Sequence, residues 1–369
     1  MNLGPAVMAF TRDVANDYVL DKSYGSLDKE DFDVGLKLIA ESGGEIWRIS
    51  KHVRFWMPIL QAIPVGFIMK YGDPAMKEFF GYLQWVEKDT EQLMKEAESS
   101  TADHRNIVHE IVKSKLPPAE KSKRRILDDV SVVASAGIDT TAATLRLTLF
   151  NIYSNPMILD RLRVELASVC PAGDEVPELK VLEQLPFLTA TITEGLRLSP
   201  AIGGRLGRVA NRDLFYDGWR IPAGTPVSMT LVLMHTDSKM YEEPFLFRPE
   251  RWMDSEAKSR TDSVYAPFSR GTRDCLGRHL AWAELYLVLA TLVNRYDFQY
   301  HGATADDFLP DSDAFAIGTK SNGDQGRTQL SLNPNSPTSL SWWKNQICSH
   351  KCHGHRGRKN KATVYRNVV

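Results

Sequence analysis

The chain has no apolar run of the ~18 residues that a membrane-crossing helix needs. Its best candidate, Trp56 to Met69, is short and broken by Pro58 and Pro64. No secretory leader stands at Met1. Cysteine is scarce: Cys170, Cys275, Cys348 and Cys352 are the only four in 369 residues. They are too scattered for a disulfide framework, which favours a reducing compartment. An excess of either charge is also missing. Lys and Arg number 45 against 46 Asp and Glu, so nothing overall invites nucleic acid or an acidic membrane. Internal repeats are absent. Against these absences, 43% hydrophobic and 25% charged residues describe a globular chain with ample material for a core.

Proline is absent from Arg124 to Asn155, and the middle of that stretch is apolar. It predicts a buried central helix, longer than the usual globular one. Gly137, Thr140 and Thr141 fall at its centre, where each costs a few tenths to ~1 kcal/mol of helix propensity. A helix is expected over 4–20, and helical spacing over 27–49 with a break at Gly43-Gly44. An amphipathic helix over 73–99 should turn Phe79, Phe80, Leu83, Trp85, Val86 and Leu93 inward. Residues 180–199 and 276–294 read as helical. Segments 205–220 and 226–234, with turns at Asp217-Gly218 and Pro222-Ala223-Gly224, read as a small antiparallel sheet, and 298–302 with 312–331 as further strands.

The most informative segment is Pro267-Phe268-Ser269-Arg270-Gly271-Thr272-Arg273-Asp274-Cys275-Leu276-Gly277. One cysteine sits in a glycine-punctuated loop with a helix directly after it. Gly271 and Gly277 are expected to turn the backbone closely around the sulfur. Loop amides and the following helix N-terminus should lower the thiol pKa. Phe268 is placed to shield the sulfur, and Arg273 to pair with an anionic ligand group. A buried cysteine beside a turn is the plain alternative.

The spacing Phe268-x-x-Gly271-x-Arg273-x-Cys275-x-Gly277 resembles the haem-binding loop of the cytochrome P-450 monooxygenases. Glu194-Gly195-Leu196-Arg197 is similar to that family's Glu-x-x-Arg helix, and Phe247-Arg248-Pro249-Glu250-Arg251-Trp252 to its Pro-Glu-Arg-aromatic segment. Ala136-Gly137-Ile138-Asp139-Thr140-Thr141 resembles its oxygen-activating stretch. Four motifs in the family's order make a far stronger signal than any one alone.

The resemblance implies a mainly α fold with a small β region, the cytochrome P-450 fold lacking its N-terminal third. It runs over residues 1–332, as the C-terminal two-thirds of such a domain. Cys275 would be the thiolate ligand of haem b iron, with Phe268 and Gly277 in its loop. Thiolate ligation pushes electron density toward iron and favours O–O cleavage. Thr140 would hydrogen-bond the activated dioxygen and Asp139 relay protons, a locally opened turn at Ala136-Gly137 admitting oxygen and water. Glu194, Arg197 and Arg251 would form a buried structural triad bracing the cysteine loop. Arg208 and Arg273 are the candidates for the haem propionates, with Arg205 a rival to Arg208. His235, Ala281 and Glu284 match further family positions, although a satisfied core histidine explains His235 equally well.

The implied reaction inserts one atom of O2 into a hydrophobic small molecule. Its electrons come from NADPH through a flavoprotein reductase. The style of 10–26 and 194–208 points to fungal members acting on terpenoid or polyketide metabolites in secondary metabolism. The family implies the cytosolic face of the endoplasmic reticulum membrane; with no anchor in view, a cytoplasmic location is the alternative. Residues 51–69 are a candidate membrane-surface contact. The opposing reading is a truncated, non-catalytic remnant, at most a haem- or lipid-binding protein. From Asn333 on, seven Lys or Arg and no Asp or Glu suggest a disordered tail over 333–369. Its Cys348, His350, Cys352, His353 and His355 are zinc-binding types at a spacing that fits no known structural site.

Overall fold

A computed structural model describes residues 2–53, 55, 58–59, 62–99, 106–170, 177–199, 201–319 and 328–331. The expected tail and its Cys/His cluster lie outside the described residues.

The architecture is a stack of helices around one rod, α6 (Lys123–Ser154). Its buried positions, among them Ala142, Leu145, Leu149 and Ile152, form the spine of the main core. Helix α1 (Leu3–Leu20) lies along it and is buried over most of its length. Thr11 Oγ1 donates to the Ile138 carbonyl at 2.7 Å. A Cβ on Gly137 would stand 3.0 Å from that of Ala15. Gly137 therefore lets two helices approach closely. The opened turn expected at Ala136-Gly137 is not present: the helix runs unbroken through it, and Thr140 Oγ1 donates back to the Ala136 carbonyl at 2.9 Å.

Helix α2 (Val34–His52) also corrects an expectation, since it continues through Gly43-Gly44. A Cβ on Gly44 would meet that of Ala314 at 3.0 Å, so this glycine is where the hairpin at 310–319 packs. Trp47 Nε1 and Lys51 Nζ hold that hairpin through the Asp313 carboxylate. Helices α3 (Val65–Tyr71) and α4 (Pro74–Ser99) follow. The inner face of α4 is Ala75, Tyr82, Val86, Asp89, Thr90 and Ala97. Trp85 and Leu93 pack against it, but Phe79 is exposed. Tyr82 wins the place because its ring stacks over the Arg12 guanidinium and its hydroxyl bonds Asn16.

Beyond α5 (Ile107–Lys113) and α6 come α7 (Pro156–Ala167), α8 (Leu179–Leu182) and α9 (Pro186–Leu198). The expected small sheet is a set of two-stranded antiparallel ladders. Strand β1 (Arg208–Val209) pairs with β4 (Pro226–Val227), and β2 (Leu214–Tyr216) with β3 (Trp219–Ile221). Asp217 and Gly218, both with positive φ, make the two-residue turn between β2 and β3. Residues 231–234, expected to be strand, lie in the short helix α10 (Leu231–His235). After α11 (Ser255–Thr261) and α12 (Arg278–Arg295), β5 (Asp297–Tyr300) pairs with β8 (Thr328–Ser331), and β6 (Pro310–Ala314) with β7 (Ala316–Thr319).

Candidate haem-thiolate site

The site is built outward from α9. Pro186 opens that helix, and Glu165 of α7 accepts the Phe187 and Leu188 amides at 2.8 Å each, capping its start from a neighbour. Two turns on, Glu194 and Arg197 share a face and both are wholly buried. The Glu194 carboxylate accepts Arg197 Nε and Nη2 at 2.8 Å each, Arg251 Nε at 3.0 Å, the Arg248 amide at 3.0 Å and Trp252 Nε1 at 2.8 Å. Arg197 spends its other arm on the carbonyls of His235 and Pro244, at 2.7 and 2.6 Å. Arg251, buried in its turn at 249–252, donates to the Glu242 and Glu243 carbonyls. Burial pulls its guanidinium pKa down, and Glu194 pulls it back up. The expected triad is thus assembled. A buried ion pair is stable only when its remaining donors find acceptors, and here they do.

Gly195, between the two charged residues, has a role the sequence did not reveal. A Cβ there would stand 2.0 Å from Thr148 Oγ1 on α6. Its lack of a side chain sets the distance between α9 and the central helix.

The cysteine segment descends from Tyr265-Ala266. The Ser269 amide bonds the Ala266 carbonyl and the Cys275 amide bonds the Phe268 carbonyl, each at 2.9 Å, closing a tight loop. Gly271 has φ +81°, as expected. Gly277 does not: its φ of −83° is open to any residue, which corrects the expected backbone constraint. A Cβ on Gly277 would meet no atom of the described residues within 4 Å, its chain neighbours aside. Phe268 leans on Trp282, with centroids 6.3 Å apart. Cys275 is exposed, whereas Cys170 is buried with Asn294 Nδ2 donating to its sulfur.

The thiol runs against expectation. Although the residue is exposed, partial desolvation raises its pKa, as does Asp274; the Gly277 amide and Arg278 pull the other way. The surrounding protein groups thus push the thiol pKa up on balance, and a cation on the sulfur would push it down. Helix α12 begins at Arg278, with the Ala281 amide on the Gly277 carbonyl and Glu284 buried.

Arg273 is exposed, with no ion pair among the described residues. Arg208 is exposed on β1, and its side chain donates to the carbonyls of Leu206 and Gly207. Arg205 is equally exposed, so exposure does not separate the rivals. On α6, Thr140 and Asp139 are half-buried, and Asp139 pairs with Arg146 at 3.5 Å. His235, left open between two readings, is fully buried and bonded at both ring nitrogens.

A family model described as Cytochrome P-450 matches residues 1–324. A cytochrome P-450 monooxygenase of Cochliobolus heterostrophus is 36% identical over 80% of this chain and 57% of its own length. The tryptophan 6-hydroxylase of Fusarium equiseti is 33% identical over 82% of this chain and 59% of its own. For the N-acetyltryptophan 6-hydroxylase of Emericella nidulans the figures are 31%, 85% and 62%. The crystal structure of the cytochrome P-450DA haem domain superposes with a TM-score of 0.68, covering 90% of this chain and 68% of that one at 19% identity. This chain spans about three-fifths of the length of these curated relatives. The fold, the matching family model and the fungal relatives agree: the chain belongs to the cytochrome P-450 family.

Proposed function

We propose that this chain is the haem-thiolate part of a fungal monooxygenase, with Cys275 as the iron ligand. One observation carries the reading: an exposed cysteine on a hydrogen-bonded loop, beside a glycine whose side-chain space is left open by the described residues around it. That opening suits the close approach of a flat macrocycle to the sulfur.

When bound, haem b supplies the activation of O2, one atom of which enters a substrate C–H bond while the other leaves as water. The remaining work belongs to the protein. Cys275 holds the group, and Phe268 and Gly277 shape the loop around it. Arg273 and Arg208 neutralise its carboxylates through charge-assisted bonds. Thr140 would hold a donatable proton at its Oγ1, which requires the hydroxyl to leave the Ala136 carbonyl. Asp139 delivers protons from solvent at its carboxylate oxygens and must part from Arg146 to do so. Glu194, Arg197 and Arg251 act structurally.

The substrate in this proposal is a hydrophobic secondary metabolite, terpenoid or polyketide. The two relatives named as 6-hydroxylases add an indole ring to the candidates. Electrons come from NADPH through a flavoprotein reductase. No helix among the described residues is long and apolar enough to cross a membrane. A surface contact on the cytosolic side of the endoplasmic reticulum is supported by Phe55, Ile59, Phe67 and Met69, all exposed within 51–69.

A non-catalytic remnant is the second reading. Val209, Phe215, Trp219, Met229, Leu233 and Phe245 are all exposed across β1–β4, α10 and the loop after it, a large apolar surface for a chain acting alone. The test is to express residues 1–369 with haem precursor, reduce with dithionite and add carbon monoxide. A strongly red-shifted Soret band is expected. A colourless protein overturns the proposal in favour of the remnant.

A further inference from the structure

The triad and the cysteine loop lie on different segments, and an imidazole bridges them. His235 closes α10 with no exposed surface. Its Nδ1 stands 3.1 Å from the Arg197 carbonyl, and its Nε2 accepts the Ala266 amide at 3.0 Å. Those partners fix the tautomer: Ala266 can only donate, so Nε2 is bare, and Nδ1 carries the proton given to Arg197. Arg197 in turn donates Nη1 to the His235 carbonyl at 2.7 Å, so the two residues clasp each other through both backbone and side chain. Tyr265 stacks on the ring, interplanar angle 21°, and bonds the Thr193 carbonyl of α9.

From Ala266 the connection continues without a gap. Its carbonyl holds the Ser269 amide, and the next carbonyl but one, that of Phe268, holds the amide of Cys275. We propose that His235 is a positioning residue: as the Nδ1–H tautomer it ties the Glu194–Arg197–Arg251 cluster to the root of the cysteine loop and so sets where Cys275 stands. Both ring nitrogens are satisfied, and the partners come from the two segments that the ring separates. The inference rests on the haem-thiolate reading for its purpose, but its geometry concerns the protein alone.

The experiment compares the full chain with His235→Phe and His235→Gln. Phenylalanine keeps the volume and the stacking on Tyr265 but loses both bonds. Glutamine places an acceptor oxygen near the Nε2 position and so restores the bond to Ala266. Amide hydrogen exchange at Ala266, Ser269 and Cys275 should quicken about tenfold in the Phe variant, the loss of one buried hydrogen bond. The Gln variant should return it toward the parent rate. Unchanged exchange in a folded Phe variant, or equal loosening in both, overturns the proposal. If the Phe variant does not fold, nitrogen chemical shifts of the parent imidazole decide: a proton on Nδ1 and a bare Nε2 are expected near neutral pH, and the opposite tautomer overturns it. In haem-loaded protein, the thiolate-type Soret band with carbon monoxide should weaken in the Phe variant and recover in the Gln variant. Failure to take up haem would count against the proposed function and leave the exchange result standing.

Discussion

The two ends of the cysteine segment differ sharply. At its root, residues 265–269 sit among buried groups: Tyr265 bonds Thr193, Ala266 bonds His235, and the neighbouring Glu194 carboxylate is saturated with donors. At its tip, residues 270–273 and 275–277 are exposed, Arg273 has no ion pair among the described residues, and the space beside Gly277 is open. The root is written in hydrogen bonds that protein atoms satisfy among themselves, and the tip in groups turned outward. Folding energy and ligand chemistry are thereby separated along some ten residues, so mutations in the two parts should fail in different ways.

The largest effect should come from the root. Glu194→Ala leaves the Arg197 and Arg251 guanidiniums buried together without their carboxylate, at a cost of about 3–5 kcal/mol. Denaturant melts read that loss; a change under 1 kcal/mol would contradict the triad's role.

The next test uses pH. Burial lowers the His235 pKa from 6.5 to about 4, with Arg197 and Glu194 as the facing charges. Between those values the unfolded chain binds a proton that the folded chain refuses. The contribution is therefore complete above pH 6.5 and drains away as pH falls toward 4, about 3 kcal/mol in all. Stability measured from pH 7 to pH 4 in the parent and His235→Gln should show a steeper fall in the parent. Parallel curves would contradict the assignment.

Gly195→Ala is expected to cost about 1–3 kcal/mol, because its methyl group collides with Thr148 on the central helix. The double variant with Thr148→Ala, which removes the colliding oxygen, should recover part of that loss. Additive losses would place the damage elsewhere. The smallest stability effect belongs to the tip. Arg273→Ala should leave the thermal midpoint unmoved yet weaken haem retention about tenfold, the loss of a charge-assisted bond. Equal haem affinity would remove Arg273 from the propionate assignment.

Much of this was legible in the sequence, for physical reasons that vary by residue. The central helix showed itself by an uninterrupted apolar pattern without proline, and the hairpin turn by Asp217-Gly218, whose left-handed backbone few other pairs tolerate. Glu194, Arg197 and Arg251 could be named together only because the spacing resembled a family. Glycine was the least readable letter. Gly137 and Gly44 read as an open turn and a helix break, Gly195 as an unmarked position between two charged residues, and each marks a close approach to a partner far along the chain. Single-sequence periodicity contains no information about which distant surface arrives. Phe79 on α4 was misjudged for the same reason: which stripe of an amphipathic helix faces inward depends on Arg12 and Asn16 recruiting Tyr82. The loop pattern predicts an acidified Cys275 thiol, but desolvation outweighs the Gly277 amide.

The central claim is that one particular sulfur binds iron. Its most direct test is a matched pair of substitutions, Cys275→Ser at the exposed thiol and Cys170→Ser at the buried one. Both proteins are loaded with haem, reduced and exposed to carbon monoxide. The account predicts that the strongly red-shifted Soret band disappears from the Cys275 variant and survives in the Cys170 variant. Survival in the first, or equal loss in both, would contradict it.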